Sequence, residues 1–299
     1  MIDASRDWTL ATGGPSVVAI GGGHGLARSL GAIRRYASEL TAVVSVADDG
    51  GSSGRLRERL SMPAPGDIRR CLVALTPRPS ALADALEYRF DAGELEGHAL
   101  GNLMLAALTA TTGDFLGAVH TLGELLGAIG TVLPAATVPV ELAGDCADGR
   151  VLGQVRIMAS SRVTAVELVP SDVQAPAQVV EAIERADQVV IGPGSLYTSV
   201  LAALAPRGIV EALRSTRGRT VYVCNLREQV PETASYSIAD HVSALLAHDI
   251  VPDVVVADHA AIALGDVPAG VNVVTAHLTS RQPLVHDESL LAKALRTEL

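Results

Sequence analysis

The first clear pattern in the chain is a short apolar run, "SVVAI", that ends in glycines at 21–25. Apolar residues then recur at helical spacing from Leu26 through Leu30 and Ile33 to Ala37, and a second apolar run, "LTAVVSVA", follows. Strand, helix, strand, with both strands apolar throughout, predicts a parallel sheet covered on both faces. Helical stretches are expected over 66–75, 80–90, 97–111 and 114–126, punctuated by Pro63, Pro65, Pro77, Pro79 and Gly93. Residues 131–169 read differently. There "TVPVELA", "RVLGQVRIMA" and "RVTAVELV" alternate apolar and polar positions and predict an antiparallel meander. After Pro170 the α/β rhythm returns: a helix near 175–186, strand "QVVI", helices across 196–213, strand "TVYVCNL", a helix over 238–248, then strands "PDVVVAD" and "VNVVTAH". The expectation is one α/β domain over 1–299. It is a Rossmann-like, doubly wound, mostly parallel sheet with an inserted antiparallel β meander at 131–169 and a loose N-terminal tail at 1–14.

Composition narrows the function. With 23 Lys and Arg against 33 Asp and Glu, the formal charge is −10, and no basic block marks a nucleic-acid surface. Aromatic residues are 3 %, too few for base stacking to be the main device. Cys71, Cys146 and Cys224 lie far apart in no C-x-x-C pair, which argues against zinc, redox work or a disulfide framework. The first ten residues lack a basic segment before an apolar one, and no apolar run reaches bilayer length, so a soluble cytoplasmic protein is expected, with no nucleic acid and no membrane partner.

Ligands of doubly wound sheets bind beyond the carboxyl ends of the strands, and three loops expected there carry chemistry. In "GGGHG", Gly22, Gly23, His24 and Gly25 stand between strand and helix, where backbone N–H groups can approach a phosphate. The dinucleotide fingerprint is only partly met, because its third glycine position holds Leu26, so a tight turn and a phosphate cradle both fit this loop alone. In "VADDGGSSGRLR", Asp48 ends the second strand, where such folds place the acid that accepts ribose hydroxyls. Asp49 can do the same or help Asp48 hold Mg²⁺. Ser52, Ser53 and Arg55 follow with backbone donors. A capped helix start explains one serine and one turn but not two carboxylates, two serines, three glycines and an arginine in eight positions, so this stretch is read as functional. In "IGPGSLYTS", Gly192, Pro193, Gly194 and Ser195 suit either a capped turn or an anion. Weaker candidates are Asp67 and Arg69 in "APGDIRR", His98 and Asn102 one helical turn apart in "GHALGN", and Asn225 at a strand end. No nucleophile elbow or H-E-x-x-H metal motif is present.

In this order, "GGGHG", "VADDGGSSGRLR", "PGDIR", "GHxxGNL" and "GPGSLYTS" resemble the YvcK-like gluconeogenesis factors, within the wider group that includes CofD, the phospholactate transferase of deazaflavin biosynthesis. The segment "NLREQVPET" departs from that pattern. The resemblance implies a Rossmann-like cytoplasmic protein that binds UDP-N-acetylglucosamine and links carbon metabolism to cell-wall precursors and cell shape, with no catalytic residue. Glycine and serine loops suit a pyrophosphate, and carboxylates suit sugar hydroxyls. Two alternatives stand beside it: a CofD-like, Mg²⁺-dependent transferase, and a protein that holds NAD without hydride chemistry. No cofactor is required by the leading reading. The partners expected are the nucleotide sugar, a regulated metabolic enzyme and other copies of the chain.

Overall fold

The computed structural model describes residues 8–280 and 284–299. Seven parallel strands form the main sheet: β1 (Ser16–Gly21), β2 (Glu39–Val44), β3 (Thr131–Pro134), β7 (Gln188–Ile191), β8 (Arg219–Val223), β9 (Val254–Ala257) and β10 (Val273–Thr275), in the order β10-β9-β8-β7-β1-β2-β3. A separate antiparallel sheet holds β4 (Glu141–Cys146), β5 (Gly149–Leu152) and β6 (Ala165–Val169), in the order β5-β4-β6. The central strands are as apolar as the sequence pattern required, with Val17 through Ile20 no more than 1 % exposed. β-Branched residues stacked on both faces fit a sheet buried on each side.

Helices α1 (Gly23–Ile33), α2 (Gly51–Leu60), α3 (Gly66–Ala74), α4 (Ala81–Glu87), α5 (Leu100–Thr112) and α6 (Phe115–Leu126) fill the connections from β1 to β3. Helices α7 (Gln154–Met158) and α8 (Ala177–Arg185) lead back toward β7. The chain therefore builds outward from β1 to β3, returns to the other side of β1, and builds outward again from β7 to β10. Strand order reverses between β1 and β7, which is where such sheets open a ligand crevice.

Two expectations are corrected. The meander was expected from residue 131, but Thr131–Pro134 pairs in parallel with β2, and the antiparallel sheet starts only at Glu141. Within "RVLGQVRIMA" the strand stops at Leu152 and Gln154–Met158 is helical. The tail was expected to be loose through residue 14. Residues 1–7 lie outside the described residues, but from Trp8 onward the chain is tied down. The Arg34 guanidinium lies 4.2 Å from the Trp8 ring centre, and the Ala11 N–H donates to the Ala37 carbonyl at 2.7 Å. A last helix, Glu288–Arg296, capped by Asp287, packs beside α1 and was not foreseen.

Candidate functional site

The loops after β1 and β7 meet backbone to backbone. A β-carbon on Gly25 would stand 2.2 Å from the Pro193 carbonyl oxygen, so only glycine lets these turns approach. Ser29 of α1 donates its hydroxyl to the Gly192 carbonyl at 2.8 Å and locks the pair. Farther along, the Gly194 N–H donates to the Asn225 amide oxygen at 3.2 Å, and the Asn225 amide nitrogen donates back to the Gly194 carbonyl at 2.8 Å. Gln229 donates to the Ser195 hydroxyl at 3.0 Å. The end of β8 thus holds the third loop in shape.

Beside this junction sits a buried carboxylate. Asp67, at the start of α3, accepts the Gly23 N–H at 2.7 Å, the first donor of the glycine loop. Its other oxygen takes the Arg70 guanidinium. Burial raises the Asp67 pKa; the Arg70 charge opposes this, and the neighbouring Asp48 adds to it. Asp48 accepts the Gly50 N–H at 2.9 Å and closes its own turn. Gly66 lies so close to Ser53 and Asp48 that a β-carbon there would stand 2.3 Å from the Ser53 hydroxyl and 3.0 Å from an Asp48 oxygen. The structure therefore gathers Gly22, Gly23, Gly25, Asp48, Ser53, Asp67, Gly192, Pro193, Gly194, Ser195 and Asn225 at the crevice.

The remaining candidates point elsewhere. Asp49 accepts the Val155 N–H at 2.9 Å and ties the second loop to α7 of the small lobe. The two adjacent carboxylates thus serve different elements, and among the described residues no three His, Cys, Asp or Glu side chains are placed to hold a metal ion. Arg55 donates to the Glu96 carbonyl at 2.7 Å, and Arg69 runs beneath Gly101 of α5 to Glu87 at 3.5 Å. His24 is exposed and faces a groove with Arg28, Arg70 and Glu87. Ser52, His98 and Asn102 form a second buried cluster. Ser52 lies 3.0 Å from the His98 Nδ1 and accepts the Asn102 amide N–H at 3.0 Å, which fastens α2 to the start of α5. Desolvation, then the Arg55, Arg59 and Arg89 charges, lower the His98 pKa.

Three contributors were missed. Arg70, not Arg69, meets Asp67. Gln229 braces the third loop. Glu232, 1 % exposed, accepts the Tyr197 N–H at 2.9 Å and the Thr198 hydroxyl at 2.9 Å, at the start of the π-helical stretch Leu196–Leu201. The signal for Gln229 and Glu232 was an amide and a carboxylate just past a strand end, in the segment that departs from the family pattern.

Fold and crevice define an α/β protein whose glycine-bearing loops meet at the switch between β1 and β7. Residues 17–297 match the family described as 2-phospho-L-lactate transferase CofD, and the chain belongs to that family. Within it the chain is 44 % identical, over 78 % of its length and 74 % of the relative's, to the gluconeogenesis factor of Bacillus subtilis. It is 43 % identical to that of Halalkalibacterium halodurans, over 81 % of the chain and 77 % of the relative. It spans only 52 % of a putative gluconeogenesis factor from Nostoc, at 42 % identity over 78 % of the chain. A crystal structure of a UPF0052 family member from Bacillus halodurans superposes with a TM-score of 0.88 at 37 % identity, over 94 % of this chain and 98 % of that one.

Proposed function

We propose that the protein is a regulatory binder of UDP-N-acetylglucosamine that acts in the cytoplasm and couples carbon metabolism to cell-wall precursor supply and cell shape. The observation that carries this reading is the Gly22–Gly25 turn packed on Pro193 and Gly194 with Asp48 and Asp67 beside it. The glycine turns suit a pyrophosphate. The Asp48 carboxylate suits ribose or sugar hydroxyls. The likeness to gluconeogenesis factors supports the regulatory part. No helix among the described residues is long and apolar enough to cross a membrane. Because Asp67 already takes the Gly23 N–H, a pyrophosphate at that donor must displace it.

Calorimetry with UDP-N-acetylglucosamine tests the reading, and no binding at millimolar ligand in folded protein overturns it. If Asp48 accepts ligand hydroxyls, Asp48→Ala weakens binding about ten- to a hundredfold with or without EDTA, the worth of hydrogen bonds to a charged acceptor. Asp49→Ala should instead loosen the small lobe. The family match itself favours a second reading, a Mg²⁺-dependent transferase. The chemistry supplied there is neutralisation of phosphate charge. Asp48 and its neighbour Asp67 would hold the ion, since Asp49 is engaged by α7. Metal-dependent release of a nucleoside monophosphate, lost in Asp48→Asn, would favour that reading over simple binding.

A further inference from the structure

The opposite end of the main sheet carries a second cavity. It lies between α6 and α8, over the amino-terminal halves of β1, β2 and β3, and its volume is about 750 Å³, a size typical of small-molecule sites. The floor is the sheet itself: Val18 pairs with Thr41, and Thr41 with Thr131, in one row. Val18 and Leu133, on the same face as this row, are 1 % and 8 % exposed, so the floor is recessed and offers apolar surface.

Two further observations point to a ligand and to its charge. Thr41 is only 8 % exposed, yet among the described residues its hydroxyl has no hydrogen-bond partner, and it lines the cavity. At the mouth stand three carboxylates, Glu39, Asp114 and Glu181, against one guanidinium, Arg185. None of these four forms an ion pair among the described residues, while His120 lies near Glu124 at 3.7 Å. The mouth therefore carries a net charge of −2, from three acids and one base, above an apolar floor.

We propose that this groove is a second ligand site and that it takes an organic ammonium ion with a compact apolar body. The apolar body would cover Val18 and Leu133, the ammonium would sit among the carboxylates, and a polar atom could satisfy Thr41. An anion is disfavoured by the same carboxylates, and so is a second copy of the chain, whose identical acidic rim would face this one. The groove lies a strand's length, about 20 Å, from the glycine turns. Its occupant therefore would not compete with a ligand there.

The test uses three probes of one shape: cyclohexylammonium, cyclohexanol and cyclohexanecarboxylate. Binding is followed through the methyl NMR signals of Val18, Leu116 and Leu133. The expected result is that cyclohexylammonium shifts these signals with a Kd at least tenfold below that of the carboxylate, and that added salt narrows the gap. The double variant Glu39→Gln/Glu181→Gln, at exposed positions that leave the fold intact, should remove most of that preference while leaving cyclohexanol unchanged. Ala182→Phe should block all three probes by filling the groove. Saturating UDP-N-acetylglucosamine should leave the cyclohexylammonium Kd unchanged, and its failure to bind would bear only on the crevice. Three results overturn the proposal: no shift with any probe, equal or tighter binding of the carboxylate, or shifts that follow protein concentration, which would make the groove a contact between copies.

Discussion

Asp67 and Glu232 hold matching places on the two sides of the switch point, and they are built differently. Each is a buried carboxylate that accepts from the first turn after a central strand, Asp67 from the turn after β1 and Glu232 from the turn after β7. Burial raises the pKa of both. Asp67 has one backbone donor, the Arg70 guanidinium as counter-ion, and Asp48 pressing on it. Glu232 has no cation among the described residues. It is held by the N–H groups of Tyr197 and Thr198 and by the Thr198 hydroxyl. A carboxylate with three neutral donors and 1 % exposure is a staple. A carboxylate with one backbone donor at a crevice, balanced by an arginine whose side chain is 25 % exposed, can be exchanged for a ligand oxygen. One side of the crevice is fixed and the other is open to substitution.

The largest effect should separate the two. Glu232→Ala leaves two N–H groups and a hydroxyl without partners in the interior, at about 1–3 kcal/mol each before relaxation, so a loss of 3 kcal/mol or more is expected. Asp67→Ala removes one acceptor and should cost only about 1–2 kcal/mol. Urea denaturation measures both, and equal losses would break the comparison.

Acid should act on both carboxylates in one direction and on a buried histidine in the other. His286 lies 3.2 Å from the Cys224 carbonyl at the end of β8, and burial lowers its pKa to about 4. A depressed histidine stabilises the fold while neutral. That contribution is whole above its ordinary 6.5 and is lost as pH falls toward 4, about 3 kcal/mol in all. Asp67 and Glu232 behave oppositely: with raised pKa values, the cost of burying their charge is relieved as pH falls through those values toward the ordinary carboxylate range. Stability measured from pH 7 to 4 should therefore show a flatter acid limb in His286→Gln and a steeper one in Glu232→Gln. Parallel profiles in all three proteins would mean that neither group couples to folding.

The open side can be sharpened with ligand. Asp67→Asn keeps an acceptor for the Gly23 N–H but lowers the negative charge where a pyrophosphate would enter. Affinity for UDP-N-acetylglucosamine should rise about three- to tenfold at low salt and less at high salt. A fall would assign Asp67 to ligand hydroxyls instead.

These contrasts mark what could be read in the sequence. The strands and their glycine exits were legible because "SVVAI", "LTAVV" and "QVVI" are buried on both faces and show it in every residue. β3 was misplaced because "TVLP" is a short edge strand whose first residue is exposed, and four residues do not distinguish a parallel edge from a meander. The last helix was readable from Asp287 followed by paired leucines, 290–291 and 295 with Ala294 between. Side-chain direction was not. Asp48 and Asp49 are adjacent, yet one closes its own turn and the other crosses to α7. Arg69 and Arg70 are adjacent, yet only Arg70 reaches Asp67. Such choices are made by packing between elements distant in sequence. Glu232 lay unread for the same reason, since its donors are 34 and 35 residues away.

The smallest expected change in stability tests the open side most directly. Gly23 has φ +64°, and a β-carbon built on it meets nothing within 4 Å. A tight structural turn alone would make alanine there a matter of backbone strain, about 1–2 kcal/mol for a left-handed residue. The empty space above Gly23 then matters only to whatever approaches the loop from outside. If a phosphate rests on this turn, the added methyl stands in its path, and a β-branched valine blocks it further. Gly23→Ala should therefore unfold at slightly lower urea and still lose at least tenfold in affinity for UDP-N-acetylglucosamine, with Gly23→Val weaker again. Calorimetry on the folded variants, with Glu232→Gln as the control that leaves this turn untouched, makes the measurement. Normal binding by a folded Gly23→Val protein would remove the first loop from the site and leave Asp67 a structural cap like Glu232.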